Sequence, residues 1–363
     1  MKALRLYAGP LALAHMRQEG LQAQDIATIA GAAGGPKGLI LGPLDRFIFG
    51  QWLPTSGQAV DLVGASIGAW RLASACLSNC VSSFERLEHD YIAQHYELPP
   101  GRKRPSADQV SREFGRSLQS FYGGRIEEVL SHPRYRLHVM TSRGIGLLAR
   151  EHGVLTHLGY AGAYLSNALS RSLLDAWLER VVFSSGQGGQ MHALPFAVGD
   201  YRTRQIALTV DNFMAAVQAS CSIPFALRAV HNIPGAPCGA YWDGGITDYH
   251  LHLDYRSSRP GPGLVLYPHF QPQVVPGWLD KALRWRHKST PFLDRMVLLA
   301  PDPQWVQALP NAKLPDRTDF TRYAQDLPAR IRVWTEAARA SAVLAEEFAA
   351  WLQKPDLSEV RAL

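Results

Sequence analysis

Short apolar runs alternate with glycine-rich turns along the first part of the chain. Residues 25–30 (DIATIA) form a run of strand length that enters Gly31-Ala32-Ala33-Gly34-Gly35-Pro36-Lys37-Gly38, and residues 39–49 then carry helical spacing. Residues 60–63 form a second run, which meets Gly64-Ala65-Ser66-Ile67-Gly68 and predicts a helix over 67–77. Two successive strand–turn–helix units predict a parallel sheet covered by helices. Further on, the pattern predicts helices over 82–95, 106–122, 166–182 and 212–220, and strands over 136–142, 204–210, 240–242, 263–267 and 296–299. Residues 184–189 read as a turn and residues 99–105 as a loop with a basic tip. Residues 328–351 predict one long helix with Ile331, Trp334, Ala338, Leu344, Phe348 and Trp351 on its apolar side. The expected fold is α/β, a mainly parallel sheet in a three-layer α/β/α arrangement. Residues 1–300 form its main domain, and 301–363 a proline-rich linker and helical extension packed on that domain.

Two apolar stretches raise the question of membranes. The first twenty residues superficially look like a leader, but Gly9-Pro10 interrupts the apolar run and His15 and Arg17 close it early. No window holds the roughly 18 consecutive apolar residues of a spanning helix. Residues 276–288 (PGWLDKALRWRHK) predict a basic amphipathic helix, with Trp278, Leu279, Ala282 and Trp285 on one stripe beside Lys281, Arg284, Arg286 and Lys288. Such a helix either faces the core or lies on an anionic membrane surface.

Composition adds little to fold and something to partners. At 363 residues and 47% hydrophobic content, the chain can bury a large core. A net charge of +6 favours anionic partners, phospholipid headgroups or nucleic acid, without choosing between them, or serves solubility alone; a nucleic-acid partner is not expected. Cys76, Cys80, Cys221 and Cys238 show no metal-type pairing and read as reduced thiols, as expected of a cytoplasmic protein with at most peripheral membrane contact.

The chemistry concentrates in three places. Gly64-Ala65-Ser66-Ile67-Gly68 has the G-x-S-x-G form of a nucleophile elbow, a sharp strand-to-helix turn that presents a serine hydroxyl. The alternative for Ser66 is a helix-capping serine at an ordinary junction. The loop Gly34-Gly35-Pro36-Lys37-Gly38 presents backbone N–H groups at a helix start, suited to negative charge. Pro36 has no N–H, so the candidate oxyanion donors are Gly34, Gly35, Lys37 and Gly38, with Ile67 beside the serine. As a nucleotide cradle this loop lacks both the phosphate-loop and the dinucleotide-binding spacings. The third place is Asp243-Gly244-Gly245, an aspartate ending a short strand.

In this order the three elements resemble the patatin-like phospholipase family of bacterial type. Ala219-Ser220-Cys221-Ser222-Ile223-Pro224 is similar to that family's A-S-x-A-x-P helix end. The resemblance implies a Ser66–Asp243 dyad without histidine, an oxyanion hole at the glycine loop, and hydrolysis of acyl lipids, above all phospholipids. Neither a cofactor nor calcium is required by that chemistry. The chain departs from the family pattern at Ala33, where glycine is usual, and at Thr247-Asp248-Tyr249-His250, where an Asn-Pro pair is common. Three readings compete. In one, His250, His252 or His269 completes a Ser–Asp–His triad. In another, the same dyad serves an acyltransferase or thioesterase. The last is a lipid-binding protein without activity. His250 and His252 lack the carboxylate or cysteine that would complete a metal site.

Overall fold

The apolar runs at 25–30 and 60–63 become adjacent strands, and their glycines end them at the same level. A computed structural model describes residues 2–97, 104–257 and 262–363. Its main sheet contains, in chain order, β1 (Leu4–Ala8), β2 (Ile26–Gly31), β3 (Val60–Ala65), β4 (Tyr135–Gly144), β5 (Leu178–Ser184), β6 (Thr203–Ala207), β7 (Val230–His231), β8 (Ala240–Asp243), β9 (Leu264–Pro268), β10 (Met296–Pro301) and β11 (Arg361–Ala362). The spatial order is β11-β1-β10-β9-β2-β3-β4-β8-β7, with β5 also pairing β4 and β6 pairing β5. The central run β10-β9-β2-β3-β4 is parallel throughout, while β1, β5 and β8 join it antiparallel. This is a mixed α/β fold with a mainly parallel sheet flanked by helices. Every residue of β2, β3, β9 and β10 is buried, as expected where both faces of a sheet are covered.

Register places the three chemical elements together. Gly31 on β2 lies opposite Gly64 on β3, so the glycine loop and the elbow leave neighbouring strands side by side. Ala65 lies opposite Met140, and the next residue of β4, Thr141, lies opposite Asp243 at the end of β8. Ser66 and Asp243 therefore stand on either side of the single strand β4, at the same height to within one residue.

The segments beyond residue 300 share the same core. Phe348 meets Phe47 and Trp52 edge to face, and Trp334 packs with Phe320 and Tyr91. The predicted long helix over 328–351 is two helices, Leu327–Ala340 and Ala342–Gln353, divided at Ser341, whose hydroxyl donates back to the Ala338 carbonyl.

Two other sequence expectations are corrected. The helix predicted over 166–182 spans the end of a helix (Gly153–Leu169), a short 3-10 turn (Arg171–Ala176) and β5. Glu179 and Arg180 gave β5 the look of an amphipathic helix, but both are buried and ion-paired, with Arg143 and Asp248. The basic amphipathic helix predicted over 276–288 is absent. Only the 3-10 turns Trp278–Asp280 and Arg284–Arg286 form there, because the Asp280 carboxylate is drawn into the interior by Asn167, Arg171 and Arg286. Residues 184–189 take part in a small hairpin, Gly186–Gln187 against Gln190–Met191. Residues 99–103 of the basic loop lie outside the described residues.

Candidate active site

Ser66 sits where β3 turns into the helix Ile67–Ala75, with φ 56° and ψ −129°. A side chain rarely adopts this conformation, and holding it costs on the order of 1–3 kcal/mol. The surroundings enforce it. A Cβ on Gly68 would stand 1.9 Å from the Gly31 carbonyl oxygen, and one on Gly64 2.5 Å from the Ala69 Cα. The two arms of the elbow can approach this closely only without side chains. The Ser66 N–H donates to Ser220 Oγ at 2.9 Å, a buried contact across the fold.

The serine hydroxyl donates to Asp243 Oδ2 at 2.7 Å, with both residues buried. Asp243 Oδ1 accepts the Gly245 N–H at 2.7 Å, which fixes the other half of the carboxylate. Gly244 lies flat against β4, where a Cβ would meet the Met140 carbonyl at 2.2 Å. A Cβ on Gly245 would stand 2.6 Å from the Ala33 Cβ, so the Asp243-Gly244-Gly245 turn touches the glycine loop. Ala33 itself is not among the residues with positive φ, which explains why alanine serves there.

Burial pushes the Asp243 carboxyl above its usual value of 3.8, while the Ser66 hydroxyl, Arg317, the Gly245 N–H and Lys281 pull it back. The group is therefore a better proton acceptor than an exposed aspartate and remains able to ionise. No histidine bonds to it among the described residues. His250 is buried, with Nδ1 accepting the Val275 N–H at 3.0 Å and lying 3.0 Å from the Gln273 carbonyl; burial and neighbouring His269 hold it well below the usual histidine value. His269 lies against His250, with ring centroids 4.3 Å apart, and His252 faces Thr290. No group of three potential metal ligands occurs among the described residues.

The glycine loop leads into a 3-10 helix, Gly35–Leu41. Each N–H in such a helix bonds three residues back, which takes up Lys37 and Gly38 and leaves Gly35 open. Ile67, first in its helix, likewise has no intrahelical acceptor. Gly35, Ser66 and Ile67 line one cleft together. Gly35 has φ +56°, a left-handed conformation suited to glycine. Gly34 packs against the Phe270 ring and Gly38 against Ile67. Lys37 sends its side chain over Phe270 into a second cavity.

The cleft above Ser66 has a volume of about 570 Å³ and is walled by Trp70, Tyr91, Phe114, Phe225, Trp278 and Phe320. The second cavity, about 580 Å³, is lined by Lys37, Tyr249, His250, Lys281, Arg284 and His287 and by no carboxylate. Lys281 keeps contact with solvent. Nearby protein nonetheless removes enough water to lower its ammonium to about 8, and Arg317 and Lys37 add to this by repulsion. Burial likewise lowers Lys37.

Several residues hold the site in roles that the sequence did not assign them. Ser220 and Ser222 end the helix Val210–Ser220 region and hold both halves of the dyad: Ser220 through Ser66 N–H, Ser222 through its carbonyl on Asp243 N–H at 2.9 Å. Ser142 Oγ donates to the Asp243 carbonyl at 2.9 Å. Asp248, in the segment that departs from the family pattern, receives Arg180 in two bonds of 2.7 and 2.6 Å. Burial alone would raise the Asp248 carboxyl, but Arg180 outweighs it and holds the group below its usual value. Arg317 stands with its Nε 3.4 Å from the position of a Gly35 Cβ. The helix-end motif pointed to Ser220, but nothing local in sequence pairs Arg180 with Asp248 or brings Arg317 back 282 positions to Gly35. Compared with known proteins, the chain matches no family model, no curated protein and no solved structure.

Proposed function

We propose that this chain is a patatin-like serine acyl hydrolase acting on phospholipids, with Ser66 as nucleophile and Asp243 as general base. The observation that carries the reading is the 2.7 Å hydrogen bond from a strained serine to a buried, desolvated aspartate on the floor of an apolar cleft. Ser66 Oγ bonds to the acyl carbon as its proton passes to Asp243 Oδ2, and the carbonyl electron pair moves onto oxygen. In this reading the Gly35 and Ile67 N–H groups, in the same cleft, receive that oxyanion, and each such donor typically contributes about 100-fold to 1,000-fold in rate. Collapse breaks the ester C–O bond, and the departing alcohol takes the proton from Asp243. Water then gives its proton to Asp243 and attacks the acyl-enzyme, and Ser66 leaves with that proton.

The surroundings of Ser66 and Asp243 support this substrate class: the largely aromatic cleft would take the acyl chain, and the cavity with Lys37, Lys281 and Arg284 the phosphate headgroup. An activated fluorophosphonate should label wild type and not Ser66→Ala, and only wild type should release fatty acid from phosphatidylglycerol vesicles. A folded Ser66→Ala protein with normal lipid turnover would sink the reading. Failure of wild type to label would leave a lipid-binding protein.

A further inference from the structure

The helix Gly153–Leu169 has its polarity reversed. Its buried side carries Thr156, Gly159, Tyr160, Ala163 and Asn167. Val154, Leu158, Leu165 and Leu169 stand outward with 66%, 56%, 64% and 82% of their surface exposed. At 3.6 residues per turn these four fall within about 60° of arc, so they form one stripe. A helix facing water shows the opposite pattern. Leu147 and Leu173, exposed on the short turns packed beside this helix, widen the stripe into a patch. Between His152 and Leu174 the chain has no acidic residue. Single exposed leucines are ordinary, but a contiguous apolar patch marks an interaction surface.

Both edges of the patch indicate what covers it. At one edge His157 stacks on Phe225, ring centroids 4.1 Å apart, and Phe225 is exposed and lines the cleft above Ser66. At the other edge Arg286 donates to Asn167 Oδ1 at 3.2 Å and to the Ala168 carbonyl at 3.4 Å. These bonds hold the 284–286 turn against the end of the helix. That turn presents Trp285, 63% exposed, between exposed Arg284 and Lys288. Leucines at the centre with tryptophan and cations at the rim match the boundary between acyl chains and anionic headgroups. A protein partner would explain the leucines but not their continuity with a cleft that opens at the edge of the patch.

We propose that this face docks on the surface of an anionic phospholipid bilayer. The leucines of Gly153–Leu169 enter the headgroup–acyl boundary, and Arg284 and Lys288 lie over anionic headgroups. A lipid leaving the leaflet then passes by Phe225 into the cleft without crossing bulk water. This placement gives a purpose to the hydrolase reading and rests on it in that respect, but the docking itself does not need Ser66.

The test uses Ser66→Ala protein, so that hydrolysis cannot remodel the membrane, and co-sedimentation with vesicles of phosphatidylcholine alone or mixed with phosphatidylserine. Binding should be strong to the anionic vesicles and fall with added salt. Leu158→Ser/Leu165→Ser/Leu169→Ser should lower partitioning by roughly 100-fold or more, and Leu165→Ser alone by roughly threefold to tenfold. The thermal midpoint should not move. With Ser66 intact, turnover of a short water-soluble ester should also be unchanged. The proposal is overturned if the parent protein does not sediment with anionic vesicles, or if the triple variant binds them equally well. It is also overturned if the parent is a dimer that the triple variant splits, because a second copy then covers the face. Vesicle binding without any ester turnover would refute the catalytic reading and leave this one standing.

Discussion

Replacing Ser66 by glycine and by alanine separates the strain of the elbow from its chemistry. Both variants lack the hydroxyl, so the 2.7 Å bond to Asp243 cancels in their comparison. Alanine must still hold φ 56° and ψ −129°, whereas glycine adopts them freely. The strain is on the order of 1–3 kcal/mol. Glycine returns about 0.5–1 kcal/mol of that through the greater freedom of its unfolded chain. The glycine variant should therefore be the more stable by about 0.5–2 kcal/mol. With an unfolding entropy of about 2.1 cal/mol/K per residue over 363 residues, 1 kcal/mol moves the midpoint by about 1.3 °C. The expected gap is about 1–3 °C, measurable by calorimetry under identical conditions, and neither variant should hydrolyse lipid. An alanine variant as stable as the glycine variant, or more so, would refute the claim that the fold stores strain at this residue.

The base should show itself in the pH profile. Since burial raises Asp243, the acid limb of kcat/KM should lie above the 3.8 of an ordinary aspartate, with activity lost as pH falls through it, and Asp243→Asn should abolish turnover while leaving the protein folded. Lys281 is charged below about 8, so KM for an anionic phospholipid should rise as pH climbs through that value. A neutral short-chain ester should show no such rise, and Lys281→Arg should move the rise to higher pH. Asp248→Ala leaves the buried Arg180 with Asp200 as its remaining carboxylate, so it should destabilise the fold in urea unfolding by less than the roughly 3–5 kcal/mol of a fully broken buried pair. Ser220→Ala leaves the buried Ser66 N–H without its acceptor, which should cost about 1–3 kcal/mol of stability and lower kcat with little change in KM.

What could be read from the chain depended on how local the cause was. The elbow, the glycine loop and the aspartate turn are legible because each packs a steric demand into a few residues: Gly64, Gly68 and Gly244 are glycines because backbone lies within 2.5 Å of where their side chains would start. Register then supplied what spacing could not, by placing Asp243 opposite the residue after Met140. The strand β5 misled because a charged residue in sequence looks exposed. Glu179 and Arg180 are buried, and their partners Arg143 and Asp248 lie 36 and 68 positions away. The 276–288 segment misled in a similar way: spacing predicted a helix there, but the buried Asp280 carboxylate, with partners in distant segments, breaks the stretch into turns. The Gly153–Leu169 helix was missed for the converse reason. Val154, Leu158, Leu165 and Leu169 do keep helical spacing, but spacing alone does not say that their stripe points outward.

As the base of the proposed hydrolase, Asp243 would face two opposed requirements, and its surroundings meet them separately. It must hold a proton more tightly than an exposed aspartate, which burial provides, yet it must be ionised before substrate arrives. The second condition comes first from the Ser66 hydroxyl itself, then from Arg317, the Gly245 N–H and Lys281, and neither cation forms an ion pair with the oxygen facing Ser66. That oxygen stays committed to the serine because Oδ1 is held by the Gly245 N–H and the Asp243 backbone by Ser222 and Ser142. A histidine in the same position would need a second group to orient its ring. Here the orientation comes from the backbone of the turn itself. The segment that follows, Thr247-Asp248, keeps that turn in place through Arg180. In the proposed hydrolase, this pair would anchor the turn that carries Asp243.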